Sequence, residues 1–160
     1  MRNVKAGTAV TFLYAAVLLL FVSCGSDAMY DKHFTVDENG WNMEDNRRFY
    51  VDIDDTLSFY DFYVDIRNSK NYPYSNLFLF INTTFPDHVV RRDTLECPLA
   101  DAYGQWYGKE SNHYVDGRYL LHSHVVFPVK GTYCFEVVHA MRDTNVVGIR
   151  NIGLHVKKLK

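Results

Sequence analysis

His122 and His124 flank Ser123, and on an extended chain that spacing sends both imidazoles out of one face, which is one way a metal site begins. A metal needs a third and usually a fourth donor. The nearest in sequence are His113 and Asp116, upstream across a turn, so the pair reads more simply as strand-surface histidines. Asp52, Asp54, Asp55, Asp61 and Asp65 crowd a neighbouring stretch. Paired carboxylates can hydrolyse glycosides or attract a hydrated calcium ion, but here strict alternation already accounts for them: Asp52 with Asp54, and Asp61 with Asp65, share polar parities that water solvates. No glycine-rich phosphate cradle, Gly-x-Ser-x-Gly turn or Cys-x-x-Cys pair is present. The sequence assigns no catalytic residue, no metal and no cofactor, and the expectation is a protein that is not an enzyme.

The aromatic residues are the larger surplus. Tyr72, Tyr74, Trp106 and Tyr107, with Tyr103 and Tyr114, fall in loop-like segments. There, rigid rings with polar tips suit recognition of a protein partner or a sugar. The competing role is to staple long loops onto the body of the protein. In Arg67–Phe80, turn-forming residues lead through Tyr72-Pro73-Tyr74 into an apolar run; Pro73 fixes φ and pushes Tyr72 into an extended conformation. A hairpin alone would need only a polar turn. The rings are therefore expected to pack on the neighbouring loop that carries Trp106, with Arg67 bonding loop carbonyls.

The elements that would hold these groups are strands. Phe49, Val51 and Ile53 share one parity, as do Tyr60, Phe62, Val64 and Ile66, and Tyr133, Phe135 and Val137; period two places one side of each segment in a core. Leu77–Ile81 is apolar throughout, as in a central strand covered on both faces. Further strands are expected near Asp93–Glu96, Tyr119–Phe127 and Ile149–Lys157, with a short helical turn at Ala140–Arg142 and a long ordered loop over Leu99–Asn112. Turn signals such as Asn39-Gly40, Asp116-Gly117 and Lys130-Gly131 separate them. About seven or eight strands without a helical pattern predict an all-β, two-sheet antiparallel β-sandwich, jelly-roll or Ig-like. A barrel is the alternative.

Composition narrows the class. The 160 residues are 48% hydrophobic and 16% aromatic, enough for one real core, and 17 Lys and Arg against 19 Asp and Glu leave no extended cationic surface for nucleic acid. Arg2 and Lys5 precede an uncharged run of 18 residues from Ala6 to Ser23, a secretory signal rather than a spanning anchor because Cys24 stands immediately after it. Phe21-Val22-Ser23-Cys24 resembles a bacterial lipobox, with Phe21 where Leu is usual. The expected layout is a lipoprotein signal peptide over 1–23, a lipidated tether over 24–29 beginning at Cys24, and a sandwich domain over 30–160. Cys97 and Cys134 stay in the exported part, where they can pair as a disulfide or remain buried thiols.

Taken together, several segments resemble the GldH family of gliding-motility lipoproteins from Bacteroidetes. The carrying residues include Tyr30-Asp31, Trp41, Ile66-Arg67-Asn68, Tyr72–Leu79, Phe85-Pro86, Asp93–Glu96, Gly104–Gly108, Phe127-Pro128, Gly131–Tyr133, Ala140–Arg142 and Gly148-Ile149, covering nearly the whole exported chain. Tyr107 stands where the family tends to have Leu, and Cys97 where an aromatic is expected. The resemblance implies a lipid-anchored envelope protein without catalytic residues, attached to a membrane through its N-terminal lipid and associated with gliding and the linked type IX secretion apparatus. Its partners would be other envelope lipoproteins or secretion and motility proteins, with nucleic acid excluded. The expected location is the outer membrane, facing the periplasm. The alternative is a carbohydrate-binding envelope module with an aromatic platform. Asp55-Thr56-Leu57 and Asp93-Thr94-Leu95 also resemble the pattern that these bacteria use for O-glycosylation, which makes Thr56 and Thr94 candidate acceptors.

Overall fold

The computed structural model describes residues 28–159; the expected signal segment and Cys24 lie outside them. In chain order the strands are β1 (Ala28–Thr35), β2 (Trp41–Asn42), β3 (Arg47–Ile53), β4 (Tyr60–Ser69), β5 (Asn76–Thr84), β6 (Val90–Pro98), β7 (Lys109–Glu110), β8 (Tyr114–Val125), β9 (Gly131–His139), β10 (Asn145–Val146) and β11 (Ile149–Lys158). One sheet has the order β1-β11-β4-β8-β7 and the other β3-β9-β5-β6, with β2 and β10 forming a small pair. All pairings are antiparallel. Two separate sheets with free edges make a sandwich and not a barrel.

Alternation builds the layers. Tyr60, Phe62, Val64 and Ile66 of β4 are buried, as are Phe49, Val51 and Ile53 of β3 and Tyr133, Phe135 and Val137 of β9. Phe62 and Phe127 meet Tyr60, Tyr133 and Phe135 in an aromatic cluster with centroids 4.5 to 5.5 Å apart, distances at which edge-to-face contact adds to area burial. On β5 Leu77, Leu79 and Ile81 reach the core, and Thr83 is buried on the same parity. The outer residues Phe78 and Phe80 are half-buried. They are covered by side chains and not by a third layer: the Arg92 guanidinium lies 5.1 Å from the Phe80 ring centre, and the Met141 sulfur accepts from the Phe78 N–H at 3.4 Å.

The structure changes one local expectation, decides the cysteines that the sequence left open, and starts the first strand two residues inside the expected tether. Ala140–Arg142 is extended and bent, not helical, because the Ala140 N–H continues the sheet by donating to the Phe78 carbonyl at 2.7 Å. Cys97 and Cys134 are free thiols. They flank β5 opposite Leu77 and Thr84, a separation along the strand of roughly 23 Å, whereas bridged Cα atoms lie within about 7 Å. Ala28 and Met29, expected in the tether, already belong to β1, with Ala28 opposite Lys157.

Connectivity gives the sandwich two distinct ends. The start of β1 lies beside the β3–β4, β5–β6 and β8–β9 loops: Ala28 pairs with Lys157, Lys158 with Tyr60, and Tyr60 with Val125. The loops at 70–75, 99–113 and 140–148 occupy the opposite end.

His139 is the least comfortable core group. It is 1% exposed, lies edge-on to Trp41 at 5.4 Å, and neither ring nitrogen has a partner of good hydrogen-bond geometry. Burial pushes its pKa down, opposed by the backbone of Thr144 and Trp41. The unfolded chain therefore takes up a proton below about pH 6.5 that the folded chain resists, and stability falls as pH drops through that value towards the depressed folded pKa. Urea unfolding between pH 7.5 and 5.5 should show a decline approaching, at most, about 1.4 kcal/mol per pH unit from this residue. In His139→Phe that component should vanish; an unchanged pH dependence would assign the decline to other groups.

Candidate functional site

The loops at the end away from β1's start hold most of the aromatic candidates, but in different roles. Tyr72 is buried at 4% exposure. Its hydroxyl donates to the Asn76 carbonyl at 3.1 Å, its ring meets Tyr74 edge-on at 5.6 Å, and burial raises its pKa strongly. It is a core residue, and its ring is not available to a partner. Gly148 makes room for it: φ is +100°, and a Cβ there would sit 3.2 Å from the Tyr72 Cα, so a side chain would be both strained and crowded. Tyr74 is at the surface, with its hydroxyl donating to the Asp143 carboxylate. That contact raises the Tyr74 pKa.

The 99–113 loop presents the remaining rings. Asp101 organises its tip: Oδ1 accepts from the Tyr103 and Gln105 N–H groups, both at 2.8 Å, and Gly104 turns the chain at φ +82°. Tyr103 projects from that turn, 96% exposed. Trp106 returns to bridge Ala100 and packs partly buried against the core, so it staples the loop more than it offers a platform. Tyr107, whose N–H donates to the Leu99 carbonyl at 2.9 Å, leaves its ring 64% exposed. The two loops are joined by backbone: the Ser75 carbonyl accepts from Leu99 and Ala100 at 2.8 and 3.0 Å, and Lys70 donates to His113. Arg67 does not bond loop carbonyls. It grips the Asp116 carboxylate with Nε and Nη2 at 2.6 and 3.0 Å, because β4 and β8 set the two residues opposite each other.

The histidine pair does not converge. Register shifts where β4 meets β8 and a left-handed backbone at His124, φ 54°, give the rings different neighbours. His122 Nε2 lies 3.2 Å from Asp93 on the other sheet, while His124 Nδ1 lies 4.0 Å from Asp61. A bulge of this kind re-aims side chains that would otherwise share a face.

Donor atoms gather instead at a place with no signal in the local sequence. Asp31, Asp65 and His155, on β1, β4 and β11, bring their donors within 4.8 Å of one another on the outer face of the five-stranded sheet. His155 Nδ1 is 3.0 Å from Asp31, and His33 lies 3.3 Å from Asp31 and 3.2 Å from Asp65. Arg118 takes the whole edge of Asp65 with two bonds of 2.6 and 2.7 Å, and Asp65 raises its pKa. A cation would have to displace that guanidinium, so the donor set fits an ion-pair network across four strands better than a metal centre.

The candidate glycosylation residues lie apart. Thr56 is in the β3–β4 loop, and Thr94 sits exposed on the outer face of β6 opposite Phe80.

Comparison with known proteins adds the family. The profile described as GldH lipoprotein matches residues 28–156. The chain is 30% identical over 154 residues to a gliding motility lipoprotein GldH homolog of Christiangramia forsetii, covering 92% of this chain and 94% of that protein. It is 26% identical over 153 residues to gliding motility lipoprotein GldH of Flavobacterium johnsoniae, covering 91% and 94%.

Proposed function

The chain belongs to the GldH lipoprotein family, and from that premise we propose that it is a non-catalytic, lipid-anchored part of the gliding-motility and type IX secretion apparatus in the cell envelope. Cys24 carries the lipid, the outer membrane is the site of attachment, and the domain faces the periplasm. Protein partners bind the loop end. The observation that carries this assignment is the placement of the exposed tyrosines: Tyr103 and Tyr107 project from loops at the end opposite the one where the chain enters β1. Tyr rings combine contact area with a hydrogen-bonding tip and few rotatable bonds, which suits recognition by protein. Tyr74, oriented by Asp143, borders the same end, beside a groove lined by Phe78, Met141 and Arg142.

Tyr103→Ala with Tyr107→Ala tests it. Both rings are exposed, so the double variant should unfold within about 0.5 kcal/mol of the parent and reach the envelope in equal amount. Crosslinked partners recovered with it should drop about tenfold or more, as expected when central aromatic anchors are removed. Undiminished recovery would remove the tyrosines from the interface. Of the two candidate acceptors we assign O-glycosylation to Thr94, which is exposed on the outer face of β6 in mid-strand, whereas Thr56 adjoins the apolar tip of the β3–β4 loop; the mature protein from its native host should be heavier than its polypeptide, and Thr94→Ala should abolish the increment. An unmodified intact mass would dispose of that assignment.

A further inference from the structure

We infer that the opposite end of the sandwich, where β1 starts, lies against the lipid surface itself. Six exposed apolar side chains are gathered on its three loops: Leu57 and Phe59 on β3–β4, Val89 and Val90 where β5 turns into β6, and Val126 and Val129 on β8–β9. Leu57 is 89% exposed and Phe59 is 50% exposed. None of the six has a polar tip, in contrast to the tyrosines at the far end.

The loops are built to hold these groups outward. Asp55 accepts from the Leu57 N–H at 2.8 Å and from the Ser58 hydroxyl at 2.7 Å, and Lys158 pairs with it at 2.6 Å. The polar atoms of the turn are thereby satisfied on the protein side, and the Leu57 side chain is left projecting. Asp87 does the same for the Val89 N–H at 3.2 Å. The Phe59 carbonyl accepts from the Leu159 N–H at 2.8 Å, fixing that residue beside the last strand.

The point where the chain enters the fold decides what covers this end. The contact rests on the assignment of lipid to Cys24. Three residues separate Cys24 from Ala28, a reach of at most about 14 Å, so the end bearing β1's start cannot leave the headgroup region. Apolar loop tips at that distance gain by entering the interface, where apolar groups settle about 5–10 Å deep. Charge there is mixed, with Lys130, Arg91, Asp54 and Asp87 all on or next to the three loops in sequence, so the contact is to the acyl-headgroup boundary in general and does not depend on anionic lipid.

The test uses the mature lipidated protein in phosphatidylcholine vesicles whose acyl chains are brominated near the headgroups. Flotation reports the anchor, and quenching reports the docked end. Leu57→Trp should add emission that brominated lipid reduces roughly twofold or more, as for a ring held at that depth; Tyr103→Trp should add emission that is not reduced. Protein that floats with an unquenched Trp at position 57 would overturn the docked end and leave the anchor standing. Protein that does not float would overturn the lipid on Cys24 and, with it, the contact.

Discussion

Cys24→Ala is expected to move the protein from almost wholly membrane-bound to almost wholly soluble when the membranes of its host are fractionated. Each buried methylene of an acyl chain contributes about 0.8 kcal/mol, and one chain gives only marginal attachment while two or more hold firmly. The exposed loop tips supply far less than that. With the lipid lost, the loop contact alone should leave a weak, reversible residue of binding, removed by dilution. Because the position precedes the described strands, the first of which begins at Ala28, the thermal unfolding of the variant domain should match the parent's. A Cys24→Ala protein that stays in the membrane fraction after dilution would mean that something other than this cysteine holds it there.

Phe62→Ala should be the most damaging single change inside the fold. Phe62 is 2% exposed and touches both Phe127 and Phe135, at 5.5 and 5.2 Å, so it links the two sheets where the aromatic cluster is densest. Truncating a buried Phe costs about 3–5 kcal/mol, part from transfer and part from the cavity left behind. For a domain of this size that corresponds to a Tm lower by roughly 10–20 °C. Phe62→Leu, which keeps most of the volume, should cost less than half as much. Equal losses for the two variants would show that the site tolerates no shape change, and a negligible loss for alanine would remove the cluster from the core.

Much of this architecture is legible in single residues. Phe49 and Phe62 announce their strands because each sits in an alternating run whose other parity is largely polar, and a half-buried sheet produces that pattern directly. Tyr72 misleads for a local reason: Asn, Ser and Pro around it signal a loop, and only the left-handed Gly148, far along the chain, makes room for its ring. The His122 and His124 spacing misleads because a bulge is set by the partner strand's register and not by the two residues themselves. The network of Asp31, Asp65, Arg118 and His155 is invisible beforehand, since His155 and Asp31 lie 124 positions apart and meet only when β1 pairs with β11. Gly153 is the available signal: a glycine in mid-strand marks a close approach, here the His33 ring that crosses it.

The two-ended sandwich also separates labour by residue type. Apolar tips stand at the end where β1 starts and tyrosines at the far end, so in the proposed arrangement one rigid body would set the distance between membrane and partner. Rigidity comes from paired backbone: β4 is hydrogen-bonded on both sides, to β11 and to β8, and spans the length between the ends.

Site-specific photocrosslinking in living cells tests this polarity most directly, with a benzophenone side chain placed at position 57 in one strain and at position 103 in another. The two-ended arrangement predicts protein adducts from position 103 and none from position 57, where the neighbour is lipid. Protein adducts from position 57 with none from position 103 would contradict it.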